Sequence, residues 1–175
     1  MKRLALSILL AAGLSSALGI ALVPAPAAAN APVLDSRHGD WTVYTRGSGQ
    51  ARTCYAVSRP TSLSPRDVRH GDVFFLVSNW ANGDATEQPS LMTGFTLRPA
   101  RAPKARVGTT SVTMYGAQNE AFIADGADER RLVREMRAGA NMTVDAVSSR
   151  GTEVSYNFSL KGVTAALRKA RALCG

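Results

Sequence analysis

Two short runs decide the fold: Asp40-Trp41-Thr42-Val43-Tyr44-Thr45-Arg46 and Arg52-Thr53-Cys54-Tyr55-Ala56-Val57-Ser58, separated by a turn at Gly47-Ser48-Gly49-Gln50. In the first, Trp41, Val43 and Thr45 fall on one side and Thr42 and Tyr44 on the other; in the second, Cys54 and Ala56 oppose Tyr55 and Val57. Successive side chains of an extended chain point to opposite faces, so a period of two on both sides of a Gly/Ser turn predicts an antiparallel hairpin.

Working outward, Asp72–Trp80 is the most apolar strand in the chain and is expected at the centre of a sheet. Ser90–Leu97 reads as a strand whose Gly94 marks a bulge or a close approach of backbone. Val107–Tyr115 and Ala121–Ala124 are short strands around Gly116–Asn119. Met142–Ser148 and Thr152–Leu160 form a second hairpin around Ser149-Arg150-Gly151. Asn30–Arg37, Arg59–Gly71, Ala81–Pro89 and Arg98–Lys104 read as loops, several of them punctuated by proline. The period changes in two places. From Asp125 to Ala138, Asp125 can cap, Asp128 holds the capping-box position, Leu132, Val133 and Met136 make an apolar stripe and Gly139 closes a helix. Val163–Leu173 is the second helix, with Val163, Ala166, Leu167, Ala170 and Cys174 along one face. The fold class is mainly β: an antiparallel β-sandwich or barrel with two peripheral helices near the C-terminus.

Met1-Lys2-Arg3, the apolar run Leu4–Val23 and Ala27-Ala28-Ala29 have the order of a secretory signal peptide with an A-x-A cleavage site. Residues 1–29 are therefore expected to be removed, leaving a single domain of residues 30–175. The other reading is a retained N-terminal anchor, because the run is about as long as a spanning helix. After cleavage no apolar stretch is long enough to span a membrane. Loss of Lys2 and Arg3 takes two from 21 basic residues and leaves 19 against 13 acidic ones, a balance of +6. Such a charge favours anionic partners, among which lipid headgroups and lipopolysaccharide suit an exported chain and nucleic acid does not. Expected locations are the periplasm, the outer membrane or the exterior.

An oxidising compartment makes a disulfide between Cys54 and Cys174, the two cysteines of the chain, the default. Catalytic and cofactor motifs do not appear: there is no G-x-S-x-G elbow, no G-x-x-x-x-G-K-[ST] and no G-x-G-x-x-G. No cofactor and no metal are expected. Both histidines lie in a short echo, Arg37-His38-Gly39-Asp40 and Arg69-His70-Gly71-Asp72. Two His-x-Asp pairs fall short of the three or four ligands a metal wants, and Gly-Asp before a strand reads more simply as a turn. The first helix carries Arg130, Arg134 and Arg137 at i, i+4 and i+7, with Arg131 beside them and Glu135 four positions after Arg131. The second carries Arg168, Lys169 and Arg171 on its polar side. Arg130, Arg134 and Arg137 are the candidate contacts to an anionic surface; a solvated helix face would look the same in sequence.

Several segments, in order, resemble one family. They are Gly39–Tyr44, Cys54–Pro60, Gly71–Phe75, Ala121–Asp125, Met136–Val144, Ser149–Thr152 and Tyr156–Cys174 with its Ser159-Leu160-Lys161-Gly162-Val163 turn. Together they look like the invasion-associated locus B family of Gram-negative envelope proteins, across nearly the whole of the expected mature chain. The resemblance implies an exported, non-enzymatic, virulence-associated protein that acts by interaction at the cell envelope or a host-cell surface. It supplies no catalytic residues. Some members carry a cysteine shortly after the first tryptophan, where this chain has Thr45, which leaves Cys54 and Cys174 as each other's partners. A small periplasmic hydrolase or ligand-binding β-barrel is the alternative.

Overall fold

The computed structural model describes residues 31–175; the leader expected at residues 1–29 lies outside them. Twelve strands form two antiparallel sheets. They are β1 (Val33–His38), β2 (Trp41–Arg46), β3 (Thr53–Ser58), β4 (Ser62–Ser64), β5 (Phe74–Trp80), β6 (Gln88–Met92), β7 (Lys104–Val107), β8 (Thr110–Thr113), β9 (Tyr115–Ala117), β10 (Glu120–Phe122), β11 (Asn141–Val147) and β12 (Glu153–Ser159). The larger sheet runs β1-β2-β3-β5-β6-β10-β9 and the smaller β4-β12-β11-β7-β8. The sheets do not join, so the structure is a sandwich rather than a closed barrel. Helix α1 (Gly126–Ala138) links β10 to β11, and α2 (Val163–Cys174) follows β12.

Each hairpin read from alternation is present in register: β2 and β3 pair Val43 with Ala56, and β11 and β12 pair Val144 with Tyr156. The inner face of the larger sheet buries Trp41, Val43, Cys54, Ala56, Phe75 and Val77. Part of that face meets the smaller sheet, where Phe75 packs on Phe158 at 5.7 Å between ring centroids and Trp41 Nε1 donates to Ser159 O at 3.0 Å. The rest meets α2, whose Cys174 bonds to Cys54 with their Cα atoms 5.8 Å apart. Burial of a ring such as Phe75 contributes about 1.5–3 kcal/mol over leaving it in water.

Four local expectations are corrected. Asn30–Arg37 is not loose, because Val33–His38 pairs with β2 as an edge strand. The polar loop Arg59–Gly71 contains β4, a three-residue edge strand beside β12. Val107–Tyr115 is not one strand. Lys104–Val107 turns through Gly108-Thr109 into Thr110–Thr113, with Val107 paired to Thr110, and Tyr115–Ala117 belongs to the other sheet. Ser90–Leu97 does not continue to its end. The Thr93 hydroxyl, a single donor shared between Phe95 O at 2.7 Å and Asn119 O at 3.0 Å, turns the chain out of the larger sheet. Leu97 then makes a bridge to Ser148 beside the smaller one. Gly94 is the close approach foreseen for it: a Cβ there would lie 2.6 Å from the Gly71 Cα.

The echo has a backbone explanation. Gly39 is left-handed, and a Cβ on it would meet Lys161 O at 2.5 Å. Gly162 is also left-handed, and its Cβ would meet His38 O at 2.1 Å. Two glycines thus let the turn before β2 lie directly on the turn before α2, where Asp40 N–H donates to Lys161 O at 3.0 Å. The histidines do not meet over a metal. His70 is buried, with Nε2 donating to Pro65 O at 2.7 Å. Its Nδ1 accepts from the Tyr156 hydroxyl at 3.1 Å. Burial raises the Tyr156 pKa far above the usual phenol value, so the hydroxyl keeps its donor proton. His38 bonds Ser36 Oγ at 3.0 Å on the edge strand.

Candidate basic cleft

The arginines of α1 stand where they do because the helix has two unlike sides. Leu132, Val133 and Met136 are buried against the core, which turns Arg130, Arg134 and Arg137 outward. The N-terminus is fixed by Asp125, whose carboxylate accepts from Ala127 N at 2.7 Å and Asp128 N at 3.1 Å. Such a cap is worth roughly 1 kcal/mol. Asp128 does not reciprocate as a capping box; it pairs with Arg131 at 2.9 Å. Glu135, placed by spacing against Arg131, instead lies 3.6 Å from Arg134.

The outward arginines line a cleft of about 370 Å³ between α1, the β5–β6 connection and the end of α2. Arg130, Arg134 and Arg137 all face it, and Arg171 of α2 joins them. The helices are tied nearby, where the Thr164 hydroxyl donates to Arg137 O at 3.4 Å. Arg171 was visible in sequence only as part of a second, separate helix. What places it here is the packing of α2 against α1, for which local pattern offers no signal. Lys169, on the same helix, is occupied elsewhere, 3.5 Å from Asp35.

Two acids share the cleft. Glu87 sits in a left-handed backbone conformation (φ 51°), with its N–H donating to Asn79 Oδ1 at 3.0 Å, and its carboxylate pairs with Arg137. A non-glycine residue held left-handed is uncommon, and here the outlier aims a carboxylate at the cleft. Burial raises the pKa of Glu129, partly offset by a hydrogen bond from the Gln88 side chain and by Arg130. Arg137 is therefore tethered and Arg134 shares Glu135. Among the described residues no acidic group lies within ion-pair distance of Arg130 or Arg171. Guanidiniums present a planar fork of donors suited to phosphate or carboxylate oxygens.

Among the described residues no group of three His, Cys, Asp or Glu side chains is placed to hold a metal, and no helix is long and apolar enough to cross a membrane. Comparison with known proteins gives two findings. A family model described as invasion associated locus B (IalB) protein matches residues 41–171. Among solved structures, the crystal structure of invasion associated protein b from Bartonella henselae is similar at a TM-score of 0.55 and 16% identity, covering 81% of this chain and 97% of that one. At that identity the likeness is one of fold. Comparison with curated proteins yields no match.

Proposed function

This chain belongs to the invasion associated locus B family, and on that footing we propose that it is an exported, non-enzymatic protein of the bacterial envelope that binds anionic groups through the cleft between its helices. Residues 1–29 direct export to the periplasm, and cleavage after Ala29 releases the domain. The partner is an envelope component or host-cell surface that presents phosphates densely, as anionic lipid or lipopolysaccharide does. One observation carries the reading: four arginines from two helices converge on one cleft, and neither Arg130 nor Arg171 forms an ion pair among the described residues, although Glu129 lies beside Arg130. The role is contact rather than reaction, so it asks for accessible charge and not for a nucleophile and base.

Near an anionic surface each arginine contributes about 1 kcal/mol. Replacing Arg130, Arg134 and Arg137 together by Gln should therefore weaken binding to anionic vesicles by about tenfold to a hundredfold at low salt. The effect should fade in high salt, where the screening length falls to about 3 Å at 1 M. Cosedimentation with anionic and neutral vesicles at two salt concentrations measures it. Wild type that shows no preference for anionic vesicles, or a variant that binds them equally, defeats the proposal.

Glu129 gives this binding a pH dependence. Its pKa is raised in the folded state, so the native chain takes up that proton more readily than the unfolded one. Ionisation of Glu129 consequently works against the fold at neutral pH, and stability from this group is gained as pH falls through its raised pKa. The same protonation removes one negative charge from the cleft. Binding to phosphatidylglycerol vesicles should rise as pH is lowered toward the upper carboxylate range. Glu129→Gln should bind at neutral pH as wild type does at the lower pH. If Glu129→Gln retains the full pH dependence, the effect belongs to other groups.

A further inference from the structure

A second polar cleft, of about 630 Å³, shares no lining residue with the one between the helices. Three connections meet at it: residues 68–70 on the approach to β5, residues 94–96 at the corner after β6, and residues 148–150 with Thr152 in the β11–β12 turn. All three are fixed by the fold. His70 holds the first through its bonds to Pro65 O and the Tyr156 hydroxyl. Gly94 lies so close to that segment that a Cβ on it would meet both the Gly71 Cα and His70 O at 2.6 Å. Ser149 N–H donates to Thr96 O at 2.8 Å and ties the turn to the corner. Within the turn, Ser148 N–H donates to Thr152 O at 2.9 Å and Gly151 N–H to Ser148 O at 2.8 Å. A site whose walls are already ordered loses little affinity to ordering them.

These walls present donors that lack acceptors. Arg69 and Arg150 line the cleft and make no ion pair among the described residues, and no carboxylate lines it with them. The cleft between the helices differs in this respect, since Glu87 and Glu129 share it. Ser148 is 8% exposed; its Oγ accepts from Thr152 N–H at 3.1 Å, and its own proton goes to no group among the described residues. A buried hydroxyl donor left unpaired is costly, so Ser148 points to an acceptor brought from outside. Thr96, Ser149 and Thr152 line the cleft too, and their hydroxyls make no hydrogen bond among the described residues. Half-buried Phe95 and exposed Val68 add an apolar wall. The second copy of the echo thus has its own use: His70 and Gly71 anchor the loop, and Arg69 lines the cleft.

We propose that this cleft is a binding site for an acidic sugar of the uronic acid type. Its carboxylate pairs with Arg69 and Arg150, its hydroxyls bond to Ser148, Ser149, Thr96 and Thr152, and the apolar C–H side of its ring lies against Phe95. Planar guanidiniums match carboxylate oxygens. Serine and threonine hydroxyls both donate and accept, as the hydroxyls of a sugar do. A bare phosphate would use the arginines and leave the hydroxyls and the apolar wall without partners. A hydrocarbon chain would cover the wall and leave the donors unpaired. The volume lies in the range of small-ligand sites, about 300–1,000 Å³. The inference uses none of the arginines between the helices and does not depend on the anionic-surface reading.

For the test, the full chain is expressed with its own leader and recovered with its disulfide formed. It is titrated at equal ionic strength with glucuronic acid, galacturonic acid, glucose and inorganic phosphate, followed by amide NMR and calorimetry. At least one of the two acids should shift the amide signals of residues 94–96 and 148–152. That acid should bind about tenfold or more tightly than glucose or phosphate. Arg69→Gln with Arg150→Gln, both at exposed positions, should weaken its binding about tenfold or more with the melting temperature unchanged. If the double variant is unstable, Arg150→Gln alone carries the comparison. Arg130→Gln with Arg171→Gln should leave sugar binding as it is, so this site and the cleft between the helices fail or stand separately. Glucose that binds as tightly as the acids removes the arginines from the account, and phosphate that binds as tightly removes the hydroxyls and the wall; either result overturns the proposal. So do binding that survives the exchange at Arg69 and Arg150, binding lost with Arg130 and Arg171, and an absence of shifts with both acids.

Discussion

Reduction of the Cys54–Cys174 bond, or replacement of both cysteines by serine, is expected to cost the fold about 2–5 kcal/mol. The bond closes a loop of 119 intervening residues, between positions 120 apart in sequence. For a loop of that length the chain-entropy account gives about 4–5 kcal/mol before any native strain is subtracted. The bond also fixes the last turn of helix α2 to the larger sheet. Helix α2 has Gly162 as its N-cap, with no side-chain hydrogen bond there, and carries no acidic residue in its first turn. It stays in place through Val163, Ala166, Leu167 and Ala170, which are buried, and through Cys174. Loss of the bond should fray α2 from its last turn, exposing Cys54 and the neighbouring face of β3. Urea unfolding with and without reductant reads the effect, and coincident midpoints would show that the bridge does not support the fold.

Gly162→Ala is expected to be the most damaging single methyl in the molecule, at about 2–5 kcal/mol. Part of this is conformational, because Gly162 has φ +89°, where an L side chain is strained. The rest is collision, because the new Cβ would sit 2.1 Å from a backbone oxygen, His38 O, which has no rotamer to move to. Relief requires the turn at His38-Gly39 to lift off the turn at Lys161-Gly162, which breaks the Asp40–Lys161 hydrogen bond. Gly83→Ala separates the two contributions. Gly83 has nearly the same φ, +83°, but nothing lies within 4 Å of its would-be Cβ. It should cost only the conformational part, about 1–2 kcal/mol. Thermal or urea unfolding of the two variants side by side provides the comparison, and equal losses would remove the collision from the account.

The parts of this fold that could be read from sequence are those in which one local period dominates. β2, β3, β11 and β12 alternate because one side faces the core and the other water or the outer face, and β5 showed itself as the most apolar run, fitting its place in the middle of the larger sheet. The two helices show a stripe for the same reason, and Asp125 caps α1 as its position suggests. The strands that escaped notice are two edge strands, β1 and β4, and one short inner strand, β7. β1 exposes Val33 and Leu34, β4 has three residues, and β7 alternates Lys104 and Arg106 with Ala105 and Val107 behind a proline-rich approach. With few buried residues to mark a face in β1 and β4, and only two in the four-residue β7, such segments resemble loops. The basic cleft was half legible. Spacing along α1 identified Arg130, Arg134 and Arg137 as one face, but Glu87 and Arg171 reach it only through tertiary packing. Which arginines remain unpaired follows from that packing and not from the sequence neighbourhood: Arg131 takes Asp128 and leaves Glu135 to Arg134.

The borders of the two sheets bear on how such molecules behave when crowded together. A sheet ending in a long, flat strand offers its free N–H and C=O groups to a neighbour and seeds edge-to-edge aggregation. Here β4 and β9 have three residues each and β8 has four, too short to template a partner firmly. The longest border strand, β1 with six residues, is interrupted: the register slips between Leu34 and Ser36, leaving Asp35 as an extra residue that turns to Lys169 on α2. The bulge twists the strand and places a charge on it, two of the devices by which β proteins discourage strand addition. Asp35→Val would remove the charge and the tie to α2, and it would leave the exposed Val33 and Leu34 on a more regular and stickier border.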